Sequence, residues 1–106
     1  MAYRVEVERG RVVNFDYKGM FGFIKPERGG KWIFFHYSCG QYLRANGDRL
    51  EWGPPPVGTT MRMPKVGDRI VFGPHGFNYH GQVAATWTYE EVYNDAILHL
   101  LPGIVP

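Results

Sequence analysis

The stretch Gly10–Ser38, GRVVNFDYKGMFGFIKPERGGKWIFFHYS, decides how this chain is read. It contains two short strand-like runs, Met20–Lys25 and Trp32–Tyr37. Strand side chains alternate with period two, so Phe21 and Phe23 share one face of the first run and Gly22 and Ile24 the other. In the second run Phe34 and His36 share a face, opposite Ile33 and Phe35. The connector carries Pro26, Gly29 and Gly30, turn formers that favour pairing of the two runs as a hairpin. Paired in this way, the runs turn one face to a core. The other face shows rings flanked by Lys18, Lys25, Arg28 and Lys31. Rings beside cations are what a stacking platform for unpaired bases requires.

The same residues carry a resemblance. Gly19-Met20-Phe21-Gly22-Phe23-Ile24 is similar to the first ribonucleoprotein motif of the cold-shock domain family, and Ile33-Phe34-Phe35-His36-Tyr37 is similar to its second. The Gly10-x-Val12 start and Pro26 fit as well, with no insertion needed from Gly10 to Ser38. Further on, Val66-Gly67-Asp68-Arg69-Ile70-Val71-Phe72 resembles the family's fourth strand and Gly81-Gln82-Val83-Ala84-Ala85-Thr86-Trp87 its fifth. The resemblance implies an all-β fold, a five-stranded antiparallel barrel of the oligonucleotide-binding (OB) type, with its binding face on the second and third strands. To this the chain adds a long loop between strands 3 and 4 and a short C-terminal α-helix. The implied partner is single-stranded RNA or DNA, held unpaired in the manner of an RNA chaperone, because bases stacked on protein are withheld from a duplex.

The residues assigned to nucleic-acid binding on these grounds are Phe15, Lys18, Phe21, Phe23, Lys25, Phe34, His36 and Tyr37. Three departures from the family pattern accompany them. Asn14 stands where the family usually has a tryptophan, and Val13 where it has a lysine. The usual lysine-glycine before the first ring is Gly19-Met20, with Lys18 displaced by one residue, a slip that moves a strand side chain to the other face. A missing ring removes roughly 1–3 kcal/mol of stacking.

Composition bounds the rest. The 106 residues make one small domain with appendages, and a 16% aromatic share is high for its size. The formal charge is only +2, yet Gly10–Ser38 holds Arg11, Lys18, Lys25, Arg28 and Lys31 against Asp16 and Glu27, five less two, or +3. Stacking should therefore outweigh electrostatics, with a gentle salt dependence. A single cysteine, Cys39, excludes an internal disulfide and a Cys-rich zinc site. Met1–Glu6 has neither the basic nor the apolar region of a signal peptide, and no apolar run reaches membrane-spanning length, so cytoplasmic residence is expected.

His36 is the most tempting catalytic candidate. No nucleophile or carboxylate occupies a recognisable partner motif, and no ligand spacing joins it to His75, His80 or His99. The Gly19–Gly22 pair is followed by no helix with the Lys-Ser or Lys-Thr of a phosphate loop. No catalytic residue, metal, cofactor or small-molecule substrate is expected, and the chain is read as a non-enzyme.

Along the chain, residues 1–87 read as the barrel, with 39–65 inserted, and 88–106 as a helix and tail. Tyr3, Val5 and Val7 alternate with polar residues and either extend the first strand backwards or add an edge strand, and Gly10 permits a bend or bulge. Val12 and Phe15 fall on the inner face or rim. In the insert, Asn46-Gly47-Asp48 and Gly53-Pro54-Pro55-Pro56 signal turns and extended chain, while Tyr42, Leu43, Leu50 and Trp52 are apolar enough for a short hairpin or a docked flap. Its removal is expected to leave the barrel folded. Gly73–Gly81 reads as a loop whose two aromatics and two histidines either contact bases or form an ordinary turn. Thr88-Tyr89-Glu90-Glu91 reads as a capping box with Thr88 as N-cap. Val92, Tyr93, Ala96, Ile97, Leu100 and Leu101 form one helical stripe, which Pro102-Gly103 ends. The stripe docks on the chain's own barrel or, alternatively, joins a homodimer. A second functional reading follows from that alternative: a barrel repurposed for protein contact through the insert and the helix.

Overall fold

The computed structural model describes residues 7–78 and 81–100, with the side chains of all of these except 74–78. Among the described residues seven strands and an α-helix follow in chain order: β1 (Glu8–Asp16), β2 (Phe21–Pro26), β3 (Ile33–His36), β4 (Tyr42–Asn46), β5 (Arg49–Gly53), β6 (Arg69–Asn78), β7 (Gly81–Tyr89) and α1 (Glu90–Leu98). Five of them close a barrel in the order β1-β2-β3-β7-β6, and β4 and β5 form a separate hairpin. Among the described residues no helix is long and apolar enough to cross a membrane.

The barrel departs from the expected all-antiparallel pairing at one seam. β3 and β7 run parallel and pair through Phe34 and Val83. Parallel neighbours cannot be joined by a tight turn, and here the whole of β4–β6 lies between them in sequence. β1 is shared, pairing with β2 from Gly10 to Asp16 and with β6 from Glu8 to Arg11. Its register slips between Val12 and Asn14, a bulge that adds bend and twist where one strand must serve two neighbours.

The inner face is filled as the alternation requires. Val12, Ile24, Ile33, Phe35, Ile70, Phe72 and Trp87 are each at most 1% exposed. Trp87 meets Phe35 edge-to-face at 5.2 Å and Tyr89 at 5.3 Å, while its indole N–H donates to the His36 carbonyl at 2.8 Å. Gly22 faces inward opposite Phe15, and a Cβ there would sit 2.2 Å from the Asn14 carbonyl oxygen. The alternating glycine thus lets β1 and β2 approach closely.

The insert is more than a long loop. β4 and β5 pair from Tyr42–Gly53 to Asn46–Arg49, turning at Gly47 with φ +67°. The pairs Leu43–Trp52 and Ala45–Leu50 place four apolar side chains on one face of the hairpin. That face covers the helix stripe: Leu43 and Leu50 bury with Ala96 and Leu100, flanked by Ala45, Trp52, Tyr93 and Ile97. The helix therefore docks within its own chain, but chiefly on the hairpin, and among the described residues of the stripe only Val92 packs on the barrel core. Leu101 and the Pro102-Gly103 stop lie outside the described residues, as do Tyr3 and Val5.

Two local expectations are corrected. Thr88 is not the N-cap, because β7 runs on through Tyr89 and buries Thr88 completely. Tyr89 holds the cap position without a side-chain hydrogen bond, and Glu90 and Glu91 in the first turn offset the helix dipole instead. Glu90 also receives Arg9 at 2.8 Å and Arg69 at 3.0 Å, which ties the helix start to β1 and β6. Nor is Gly73–Asn78 a loop, since β6 runs through it. β6 and β7 stay paired out to Asn78 and Gly81, and the side chains of His75, Phe77, Tyr79 and His80 lie outside those described.

The chain returning from the hairpin to β6 is fixed by three tyrosines. Tyr17 donates its hydroxyl to the Pro64 carbonyl at 2.9 Å, Tyr37 to that of Met61, and Tyr89 to that of Arg62 at 2.5 Å. The Arg62 guanidinium lies 4.0 Å over the Tyr89 ring and bonds Asp68 at 2.7 Å and Glu91 at 3.2 Å. Desolvation opposes its charge, but these two acceptors outweigh it and raise its pKa. Burial pushes the Tyr89 phenol up from its ordinary 10.0. The folded protein thus keeps a proton that the unfolded chain loses. The Tyr89 contribution is complete below pH 10 and declines as pH rises above it, by at most about 1.4 kcal/mol per pH unit. Tyr89→Phe is expected to lower stability by about 1 kcal/mol at neutral pH and to flatten the alkaline decline. Urea unfolding at pH 7 and above pH 10 reads both effects, and an alkaline slope as steep in the variant as in wild type would count against them.

Candidate nucleic-acid interface

Across the outer face of β2 and β3 the rings form a continuous ladder. Phe23 lies directly across from Phe34, and Phe21 across from His36. Phe21 stacks on Phe34 with centroids 5.5 Å apart and planes at 27°; Phe23 meets Phe34 edge-on at 5.8 Å, and Trp32 lies 6.4 Å from Phe23. The order is Trp32, Phe23, Phe34, Phe21, ending at the His36 imidazole. These rings are partly exposed, whereas Ile24, Ile33 and Phe35 on the opposite face are sealed. A second layer over the ladder is absent among the described residues, because the helix is engaged by the hairpin.

His36 is oriented by its own chain. Its Nδ1 accepts from the Ser38 amide at 3.1 Å, at the start of a 3-10 turn over Tyr37–Cys39, and lies 2.8 Å from the Ser38 hydroxyl. A neutral ring that accepts at Nδ1 carries its proton on Nε2, as a donor. The other end of the Phe21 rung is set by the turn Asp16–Met20. There Asp16 accepts the Lys18 and Gly19 amides at 2.9 and 3.2 Å, and Met20 adopts φ +60°. That left-handed conformation is uncommon for a residue with a side chain. It directs the Met20 carbonyl to the Tyr37 amide at 2.8 Å, which fixes the end of β3 against the start of β2.

The structure brings Phe21, Phe23, Phe34 and His36 together and places Lys25 on the same face, two residues beyond Phe23. Two residues assigned to nucleic-acid binding lie on the core side, in keeping with the inner or rim place read for Phe15. Phe15 follows the β1 bulge to the core side, where its ring meets Phe35 at 5.8 Å and Tyr17 at 5.1 Å. Tyr37 packs against the barrel core and spends its hydroxyl on Met61. Lys18 is exposed in the β1–β2 turn, outside the strands that carry the ladder.

One rung was missed. Trp32 is 51% exposed and extends the ladder past Phe23. Its parity with Phe34 and His36 was a readable signal, although it lies one residue before β3. Asn14 is exposed directly across from Phe23, so the position at which the resemblance calls for a tryptophan borders the ladder. Asn14→Trp is expected to tighten binding of a short pyrimidine strand by about 1–3 kcal/mol. A fluorescence titration measures this, and unchanged affinity would show that ligand does not pass over β1.

Comparison with protein-family models and with curated proteins returned no match for this chain.

Proposed function

We propose that this protein binds single-stranded RNA or DNA, stacking unpaired bases on the Trp32–Phe23–Phe34–Phe21 ladder and acting stoichiometrically, as an RNA chaperone does. One observation carries the reading: four rings in a contacting row stand partly exposed along β2, β3 and the residue just before β3, while a separate set of side chains already fills the barrel. Base–aromatic stacking tolerates any sequence, because every base has a π-face. The His36 Nε2–H adds a donor for a base edge or a phosphate. The strand order, with its second and third strands bearing the rings, is in keeping with a barrel of the OB type, and the motif resemblance to the cold-shock domain points the same way.

Titration with oligothymidylate and oligouridylate at two salt concentrations tests the proposal. Saturable binding with a shallow salt slope supports it, and the absence of binding at low salt sinks it. The competing reading, protein contact through the insert and the helix, loses its main surface because the helix stripe and the hairpin bury each other.

A further inference from the structure

Beyond Trp32 the outer face changes character from aromatic to cationic. Arg11 of β1 lies directly across from Lys25 of β2 on one side and from Arg69 of β6 on the other. Their neighbours Val12, Ile24 and Ile70 are buried in the core, so alternation turns all three cations outward, and all three are exposed. With Gly10, Pro26 and Glu27 they line an open cleft of about 250 Å³. Arg69 is held by Glu27 at 3.3 Å and Glu90 at 3.0 Å, whereas no carboxylate bonds Arg11 or Lys25 among the described residues. Like charges directly opposite one another across paired strands repel. The Arg11–Lys25 pair is therefore destabilising on its own and is relieved by an anion lying over it.

We propose that this row is a phosphate subsite that takes the sugar–phosphate backbone of the same single strand where it runs past Trp32. The inference rests on the stacking reading and adds to it a footprint and a polarity. Bases lie on the ladder from the His36 end to Trp32, and the next phosphates cross the Arg69–Arg11–Lys25 row. Strands pair about 4.8 Å apart, so the row spans roughly 10 Å, room for more than one phosphate. The contacts are to phosphate, so they carry no base preference and lend the site most of its salt dependence.

The test uses the full chain and three probes: an oligothymidylate of four residues, and the same oligomer carrying an abasic tail of four phosphodiesters at either its 5′ or its 3′ end. A tail without bases adds phosphates but no stacking. One tail polarity should tighten binding by about tenfold and the other should not. In Arg11→Gln/Lys25→Gln the gain from that tail should vanish and the salt slope for the tailed probe should fall by about 1.4, two contacts at 0.7 each. The ligand-free variant should melt at a higher temperature than wild type in low salt, opposite in sign to its loss of affinity. If the untailed oligomer binds while neither tail adds affinity, the subsite is wrong and the ladder stands. The subsite also fails if the tail's gain survives the double substitution. If no probe binds, the ladder reading fails and the subsite fails with it.

Discussion

Phe34→Ala is expected to weaken binding of a short pyrimidine strand by about 5- to 150-fold, the span of one to three kcal/mol of lost stacking. Phe34 is the ladder's central rung, in contact with both Phe21 and Phe23. Its removal takes away one stacking surface and leaves the two neighbours without the ring that sets their angle. The stability penalty should be much smaller than the 3–5 kcal/mol typical of a fully buried phenylalanine, since the ring stands partly exposed on the outer face. Affinity from fluorescence titration and stability from urea unfolding separate the two effects. Normal binding by a folded variant would eliminate the ladder as the binding surface, and a loss of most of the stability would make Phe34 a core residue.

Leu50→Asp should have the largest effect on the fold. Leu50 is 2% exposed at the centre of the small core that joins the hairpin to the helix. Burying such a side chain contributes about 1.5–3 kcal/mol, and an unpaired carboxylate in its place adds a desolvation penalty. The expected outcome is release of α1 from the hairpin, with a loss of at least about 3 kcal/mol, seen as lower helical circular dichroism and faster amide exchange in Tyr93–Ile97. Deleting residues 39–65 should be worse. It strips the cover from the helix stripe and also removes the carbonyls of Met61, Arg62 and Pro64 that accept the three tyrosines. These contacts predict that the insert behaves as part of the folded unit, where the sequence led to the expectation that the barrel tolerates its removal. A stable barrel after deletion would restore that earlier boundary, and wild-type exchange rates in Leu50→Asp would show that the helix is anchored elsewhere.

What the sequence disclosed follows a physical division. Period-two alternation in Phe21–Ile24 and Ile33–His36 is a local property, so the outer rings and the sealed inner face could be read directly. The helix stripe was equally legible. Its partner was not, because Leu43, Ala45, Leu50 and Trp52 share a face only once the register across the Asn46–Arg49 turn is known, and register is set by pairing. The inner place of Phe15 depends on a non-local feature of the same kind, because the β1 bulge shifts parity after Val12. Tyr37 shares the parity of Ile33 and Phe35, so its packing against the core is what alternation itself gives. Thr88 fitted a capping box by spacing alone, but pairing with Val71 extends β7 past it. The cation row brings together residues 11, 25 and 69 from three strands, which no local pattern announces.

The tyrosine straps bear on how this protein can diverge. Each hydroxyl grips a main-chain carbonyl, and every amino acid possesses one. The returning chain can exchange exposed side chains such as that of Lys65 without losing its moorings, while exchange of Tyr17, Tyr37 or Tyr89, distant in sequence, should loosen it. Substitution scanning should find the tether permissive at its own exposed positions and strict at the residues that hold it.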